Sequence, residues 1–173
     1  MHRGIWAVLA ILALGCSPRL GATTISFSVV LDGSQEVPPN ASPGTGTATV
    51  TVDDVAKTVS VDLTYADLTS PAANAHIHCC NGPGVNSPVV LPFVPAGFVT
   101  GATSGTFNAL FSNVDDATLA GLEAYGGYIN IHTAPFPGGE IRANLTPEPG
   151  SIALLGLGLA GLGALLRRRK TIS

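Results

Sequence analysis

The chain has 173 residues and a formal net charge of −3; 46% of its residues are hydrophobic and 11% are charged. Six of its eight basic residues lie in the terminal segments 1–22 and 147–173. The segment between them has ten acidic residues against Lys57 and Arg142, a net charge near −8 (two minus ten) with neutral histidines. Such a surface repels phosphate backbones and excludes nucleic acid as a partner, whereas divalent cations or basic partners are compatible with it.

The N-terminus has the pattern of a secretory signal peptide. Arg3 supplies a basic start, an apolar run covers 5–14, and small residues follow at Gly21 and Ala22. This order predicts a signal peptide over residues 1–22, cleaved after Ala22 by signal peptidase. Lipid attachment at Cys16, after a different cut, is the second alternative.

Strand patterns follow one another through residues 23–146. The runs at 24–31, 46–52 and 57–65 are rich in Val, Ile and Thr, and the last two alternate apolar and polar residues. Between those two, VDDVAK predicts a hairpin turn, so the two strands should pair antiparallel. Five more runs read as strands between Pro- and Gly-rich loops: NAHIHC, PVVLPF, SGTFNALF, GYINIHT and GEIRANL.

One segment has a helical pattern instead. DDATLAGLEAYG opens with Asp residues suited to capping and spaces Leu119, Leu122 and Tyr125 as on one helix face, which predicts a short helix over 116–124. About eight short strands with one helix predict an all-β fold, an antiparallel Greek-key β-sandwich of immunoglobulin-like or superoxide-dismutase-like type.

Histidines occur at alternating positions. His76 and His78 point to one side of a strand and Ile77 to the other, and His132 lies on the polar face of YINIHT. If the next loop folds back as a hairpin, Glu140 approaches His132. Three imidazoles and a carboxylate suit copper or zinc, which predicts a metal site. Alternatively, the histidines hydrogen-bond to the backbone and hold loops in place.

The His-x-His spacing is similar to that of the copper, zinc superoxide dismutases, which are also β-sandwiches. The similarity is confined to this short motif.

Two adjacent cysteines follow the histidine motif. After signal-peptide cleavage Cys79 and Cys80 are the only cysteines, and the exported compartment is oxidising. A vicinal disulfide that stiffens the turn into NGPG is favoured. Pairing between chains and thiolate ligation of a soft metal beside His78 remain alternatives.

Glu36, in SQEVPP, is held in place by the prolines that follow it and is interpreted as a cap or bridge between loops. The Asp53–Asp54 and Asp115–Asp116 pairs are interpreted as a turn and a helix start, with too few oxygens for calcium. The sequence contains no recognisable Ser/His/Asp nucleophile motif and no phosphate-binding loop, so no enzymatic activity is predicted.

The C-terminus has three parts in a fixed order. Pro147, Glu148 and Pro149 precede an uncharged run at 151–166, and the basic cluster Arg167, Arg168, Arg169 and Lys170 ends it. At about 1.5 Å per residue this run spans roughly 24 Å, slightly less than a ~30 Å hydrocarbon core. It predicts a marginal transmembrane segment with a basic cytoplasmic tail. A plain membrane anchor is the alternative interpretation.

Two family resemblances rest on these motifs. LDGSQEVPP, AHIH and YINIHTAPFPGGEIRANL, in this order, resemble the CHRD (chordin-type) domain, which would then occupy residues 23–146. Cys79 and Cys80 depart from that family's Gly-rich continuation after HIH. The C-terminal segment 147–173 resembles the PEP-CTERM sorting signal of Gram-negative bacteria. That resemblance implies processing by an exosortase and display at the cell surface, often in bacteria that make an exopolysaccharide matrix.

Two functions are therefore expected. The first is a structural or adhesive module at the cell surface or in the extracellular matrix, without catalysis, which passes transiently through the inner membrane and contacts exopolysaccharide. The second is an extracytoplasmic copper- or zinc-binding protein, redox-active if copper is bound, that uses His76, His78 and His132.

Overall fold

The computed structural model describes residues 24–147. Within this range the chain forms eight strands and one α-helix: β1 (Thr24–Asp32), β2 (Thr45–Asp53), β3 (Thr58–Ala66), β4 (Ala72–His78), β5 (Val89–Pro92), β6 (Gly105–Ser112), α1 (Asp116–Glu123), β7 (Tyr128–Thr133) and β8 (Ile141–Asn144). Short 3-10 helices follow β1, at Gly33–Gln35, and β5, at Val94–Ala96. The predicted all-β class with one short helix is confirmed.

Strands β2 and β3 show why period-two sequences become strands here. Every second side chain is buried along both strands, and the buried Val50 faces Val61 across the antiparallel pair. The hairpin turn is closed by the Asp53 carboxylate, which accepts hydrogen bonds from the backbone N–H groups of Val55 and Ala56 at 3.0 and 2.7 Å. The predicted hairpin is therefore present.

All eight strands belong to one antiparallel sheet in the order β5-β4-β7-β8-β1-β2-β3-β6. Its middle is weakly joined, because β1 and β8 share only the pair Asp32 and Arg142. The sheet folds over at this point into two halves. We call β5-β4-β7-β8 the histidine half and β1-β2-β3-β6 the threonine half.

The two halves enclose one hydrophobic core. Phe27, Val50 and Val61 extend into it from the threonine half, and Ile77 and Ile129 from the histidine half. The connections from β3 to β4, from β5 to β6 and from β6 to β7 cross between the halves, as expected of a Greek-key sandwich. Consecutive strands are thereby separated, and distant segments such as β4 and β7 become neighbours.

Helix α1 begins where the sequence predicts. The Asp115 carboxylate accepts hydrogen bonds from the backbone N–H and the hydroxyl of Thr118, at 2.9 and 2.7 Å. Leu119 and Leu122 are buried against the core. Tyr125, which was expected to continue this face, lies beyond the helix with a φ of 62°, and its ring meets Phe27 edge-on at 6.1 Å.

The terminal predictions fall outside residues 24–147. They comprise the signal peptide with Cys16, the transmembrane run at 151–166 and the basic cluster after it. In the part of the chain that the structure describes, no helix is both long and apolar enough to cross a membrane.

Candidate metal centre

Two neighbouring strands bring the three histidines together. His76 and His78 lie on β4 and face away from the core, because the residue between them, Ile77, is fully buried. Strand β7 pairs antiparallel with β4, so that His76 faces Asn130, and His132 faces Asn74 two pairs further along. All three imidazoles therefore share the outer face of the histidine half.

The ring nitrogens converge on one point. One nitrogen from each of His76, His78 and His132 lies within 4.8 Å of the other two. The closest pair is His76 Nδ1 and His132 Nε2, at 3.1 Å. Ligand nitrogens in a tetrahedral zinc site with bonds of about 2.0–2.1 Å lie about 3.3 Å apart. Small ring movements would thus bring the three nitrogens onto one ion.

Backbone carbonyl oxygens orient two of the rings by contacting the ring nitrogen that faces away from the cluster. His78 Nδ1 lies 2.7 Å from the carbonyl oxygen of Ser87, and His132 Nδ1 lies 3.0 Å from that of Pro137. When each Nδ1–H donates to its carbonyl, Nε2 is left with its lone pair facing the cluster. Metal-binding histidines are oriented by outer hydrogen bonds of this kind.

One of these lone pairs has no partner. Within residues 24–147, the buried His78 Nε2 makes no hydrogen bond. A buried polar atom without a partner costs roughly 1–3 kcal/mol, so it calls for an explanation such as an ion or a water molecule.

The electrostatic environment keeps the rings neutral. Burial, together with the neighbouring His132 and His78 rings, lowers the pKa of His76 to about 4. Burial also lowers the pKa of His78 and that of His132, although the hydrogen bonds that these rings donate to the carbonyl oxygens of Ser87 and Pro137 act in the opposite direction. Neutral imidazole is the form that binds metal, so the cluster is ready to coordinate at neutral pH.

Glu140 does not join the imidazoles, contrary to the predicted ligand set. Its fully buried carboxylate accepts hydrogen bonds from Ser42 Oγ and the Thr69 backbone N–H, both at 2.6 Å, and from the Thr133 hydroxyl. Burial alone would raise the pKa of Glu140, but these hydrogen bonds outweigh it and hold the pKa below its ordinary value. Glu140 thus ties three chain segments together.

The cysteines also lie apart from the imidazoles. The structure joins Cys79 and Cys80 in a disulfide. The bridge packs against helix α1, where a β-carbon at Gly121 would collide with Cys80 Sγ. Cys79 follows His78 and is buried in the core, on the opposite face of the strand. The alternative of thiolate ligation beside His78 is therefore not what the structure shows.

Glu36 lies beneath the loop that precedes β8. It is 4% exposed, and a β-carbon at Gly139, whose φ is 133°, would collide with its Oε1. Burial raises the pKa of Glu36 to about 7, although the Arg142 guanidinium and a hydrogen bond from Asn130 act in the opposite direction. The bridging position between loops agrees with the sequence interpretation.

Three neighbours of the cluster were not anticipated as part of the site. The Tyr128 ring stacks on His78 at 4.6 Å between centroids, and the buried guanidinium of Arg142 lies 3.4 Å from the centroid of Tyr128. Asn130 is buried with its Oδ1 3.0 Å from His132 Nε2. For Tyr128 and Asn130, the alternation with His132 along YINIHT was the available signal, because the three residues share one face.

The fold and this cluster define a class: an all-β Greek-key sandwich with three imidazoles converging on its outer face. The CHRD domain family profile matches residues 27–145, more than half of the chain, and the chain belongs to that family. The profile of the PEP-CTERM protein-sorting motif matches residues 145–170, which implies exosortase-dependent export and sorting to the cell surface. No curated protein and no solved structure matches the chain.

Proposed function

We propose that this protein is a CHRD-domain metal-binding protein that holds copper or zinc outside the cytoplasm through His76, His78 and His132. The sorting motif supports the location, since it implies export to the cell surface. Signal peptidase and exosortase then act on it during export, with transient passage through the inner membrane. The proposal assigns the protein no catalytic step.

The observation that carries this proposal is the orientation of the rings. Backbone carbonyls hold the Nδ1 atoms of His78 and His132, and the Nε2 atoms face a shared point with His76. A purely structural histidine would use both of its nitrogens in hydrogen bonds. The buried His78 Nε2 makes none within the described residues.

The test is metal analysis of the exported protein, purified without a histidine tag. We expect near-stoichiometric copper or zinc in the native sequence and its loss in a His76→Ala/His78→Ala variant. The matched control is Thr47→Ala/Thr49→Ala, which removes two exposed side chains at the same spacing from the threonine half and should keep the metal. A native protein without metal, even after incubation with copper and zinc, would refute the proposal. Copper would justify a redox assay, because copper changes oxidation state and zinc does not.

A second candidate, adhesion to matrix polysaccharide, is favoured by the outer face of the threonine half. Short polar side chains form rows across its four strands, as in Ser28, Thr49, Asp62 and Asn108, which face one another in register. A cavity of about 610 Å³ lies over this face. Such a surface offers a linear sugar chain many hydrogen-bonding groups without a large unfavourable charge.

Adhesion is tested by binding of the exported protein to exopolysaccharide from the producing bacterium. Thr49→Arg places a long charged side chain in the middle of the cavity and should abolish binding. Thr100→Arg adds the same charge in an exposed loop and should leave binding unchanged. Equal binding by both variants would refute this role for the threonine half.

A further inference from the structure

Asn130 lies at the centre of the histidine cluster. It faces His76 across the β4–β7 pair, precedes His132 by two residues on the same face of β7, and is 1% exposed. Its Oδ1 is 3.0 Å from His132 Nε2. A polar side chain in such a buried position needs partners that match each of its atoms.

The orientation of this amide follows from its other side. Asn130 Nδ2 lies 3.5 Å from the carbonyl oxygen of Gly138. The Glu36 carboxylate lies on the same side, because a hydrogen bond from the Asn130 side chain lowers the pKa of Glu36, and Asn130 Nδ2 and Glu36 Oε1 both lie close to Gly139. Both neighbours can accept hydrogen bonds, so the amide nitrogen belongs on their side. The amide oxygen must then face the imidazoles.

This orientation creates a conflict at His132. The ring has one oxygen on each side, Pro137 O 3.0 Å from Nδ1 and Asn130 Oδ1 3.0 Å from Nε2. A neutral imidazole has only one N–H, so in either tautomer one nitrogen lone pair faces an oxygen lone pair. A doubly protonated ring would satisfy both oxygens, but it would place a positive charge in a buried site among other imidazoles.

A metal ion removes the conflict, because both lone pairs then point at a cation. We propose that Asn130 Oδ1 is the fourth ligand of the metal held by His76, His78 and His132. This inference rests on the proposed metal-binding function. The distances of 3.0 and 3.1 Å from His132 Nε2 to Asn130 Oδ1 and His76 Nδ1 are close to the separation of about 3.3 Å in a tetrahedral shell. The site is then three nitrogens and one neutral oxygen.

Glu36 acts in this scheme as a positioning residue. Its carboxylate lies beside Asn130 Nδ2 and favours the orientation in which the amide oxygen faces the metal. In Glu36→Gln the new amide can itself donate toward Asn130, so the Asn130 amide is free to turn its nitrogen toward the imidazoles. Metal affinity should then fall although residue 36 supplies no ligand atom.

The experiment measures Cu(II) and Zn(II) affinity of the full-length protein by competition with a chromophoric chelator, together with the Cu(II) electron paramagnetic resonance spectrum. Asn130→Leu removes the oxygen at similar volume and should weaken binding at least tenfold, with a changed copper hyperfine splitting. Asn130→Asp retains an oxygen at the same place and should bind at least as tightly as the native protein. Circular dichroism and thermal unfolding in EDTA establish that each variant is folded.

The outcomes separate the two proposals. A native protein that binds neither metal refutes the metal-binding function and this inference with it. If the native protein binds metal and Asn130→Leu has unchanged affinity and an unchanged spectrum, the assignment of Asn130 as the fourth ligand is wrong, and the metal-binding function stands. If Asn130→Leu does not fold, Asn130→Asp decides: an unchanged copper spectrum overturns the inference, and a spectrum altered by an anionic oxygen ligand supports it. For Glu36, no additional loss is expected in Glu36→Gln/Asn130→Leu relative to Asn130→Leu, because both act through one oxygen.

Discussion

At the scale of single residues, strand alternation decides where side chains point, and it applies only inside a strand. His76 and His78 lie within β4 and share a face, as the period of two predicts, and His132 lies with Asn130 on one face of β7. Glu140 lies just before β8, after Gly139 with its φ of 133°. Its carboxylate therefore turns to the inner side and meets the buried Thr133.

The role of Glu140 predicts a pH-dependent loss of stability in Glu140→Gln. Glutamine has the same shape but brings an N–H toward donors that need an acceptor, so unfolding free energy should fall by about 2 kcal/mol at pH 7. The folded-state pKa of Glu140 lies below its ordinary value of 4.5, so its stabilisation is complete above that pH and is lost as the pH falls through the folded-state pKa.

Urea unfolding of the native protein and the variant between pH 3 and 7 provides the measurement. The difference in unfolding free energy should shrink toward the acid end of the range. A difference that stays constant with pH would show that the charge of Glu140 does not contribute.

At the scale of secondary-structure elements, residues close together in the chain predicted the position of some elements and gave no indication of how others pair. Helix α1 and the β2–β3 hairpin carry their caps and turns in adjacent residues, and both form where predicted. The β4–β7 pair that brings the three histidines together has no such signal. Two strands and a helix separate β4 from β7 in the chain, so only the folded sheet places them side by side.

The cap of helix α1 predicts a specific loss of stability. Asp115→Ala removes the acceptor for the backbone N–H and hydroxyl of Thr118 and should lower the unfolding free energy by about 1 kcal/mol. The neighbouring Asp116→Ala is the matched control, because Asp116 is 85% exposed and only pairs with Lys57 at the surface. Its effect should stay within about 0.5 kcal/mol. Equal losses in thermal unfolding of the two variants would contradict the capping role.

At the scale of the whole molecule, the Greek-key sandwich separates two outer faces with different chemistry. The histidine half presents converging imidazoles, and the threonine half presents rows of short polar side chains. One core serves both, which leaves each outer face free for a separate role. Metal binding and adhesion are therefore compatible in one domain.

Metal binding should stabilise the whole fold, because the ligands come from two strands that meet only in the native state. At a free metal concentration about 100 times Kd, the gain is about 2.7 kcal/mol. For a domain of this size the Tm should rise on the order of 10 °C. Differential scanning calorimetry with and without copper measures it. The same rise in the His76→Ala/His78→Ala variant would place the stabilising metal elsewhere.

The family, the all-β class, the hairpin and helix positions and the shared face of His76 and His78 could all be predicted from the amino-acid sequence. These features depend on residues that are close together in the chain, or on the order of motifs along it, and both can be read from the sequence. The folded chain was needed to see that His132 joins the pair, that Glu140 does not, and that Asn130 lies among the rings. Those outcomes depend on the crossover that places β7 beside β4 and on the turn at Gly139, which no local period encodes.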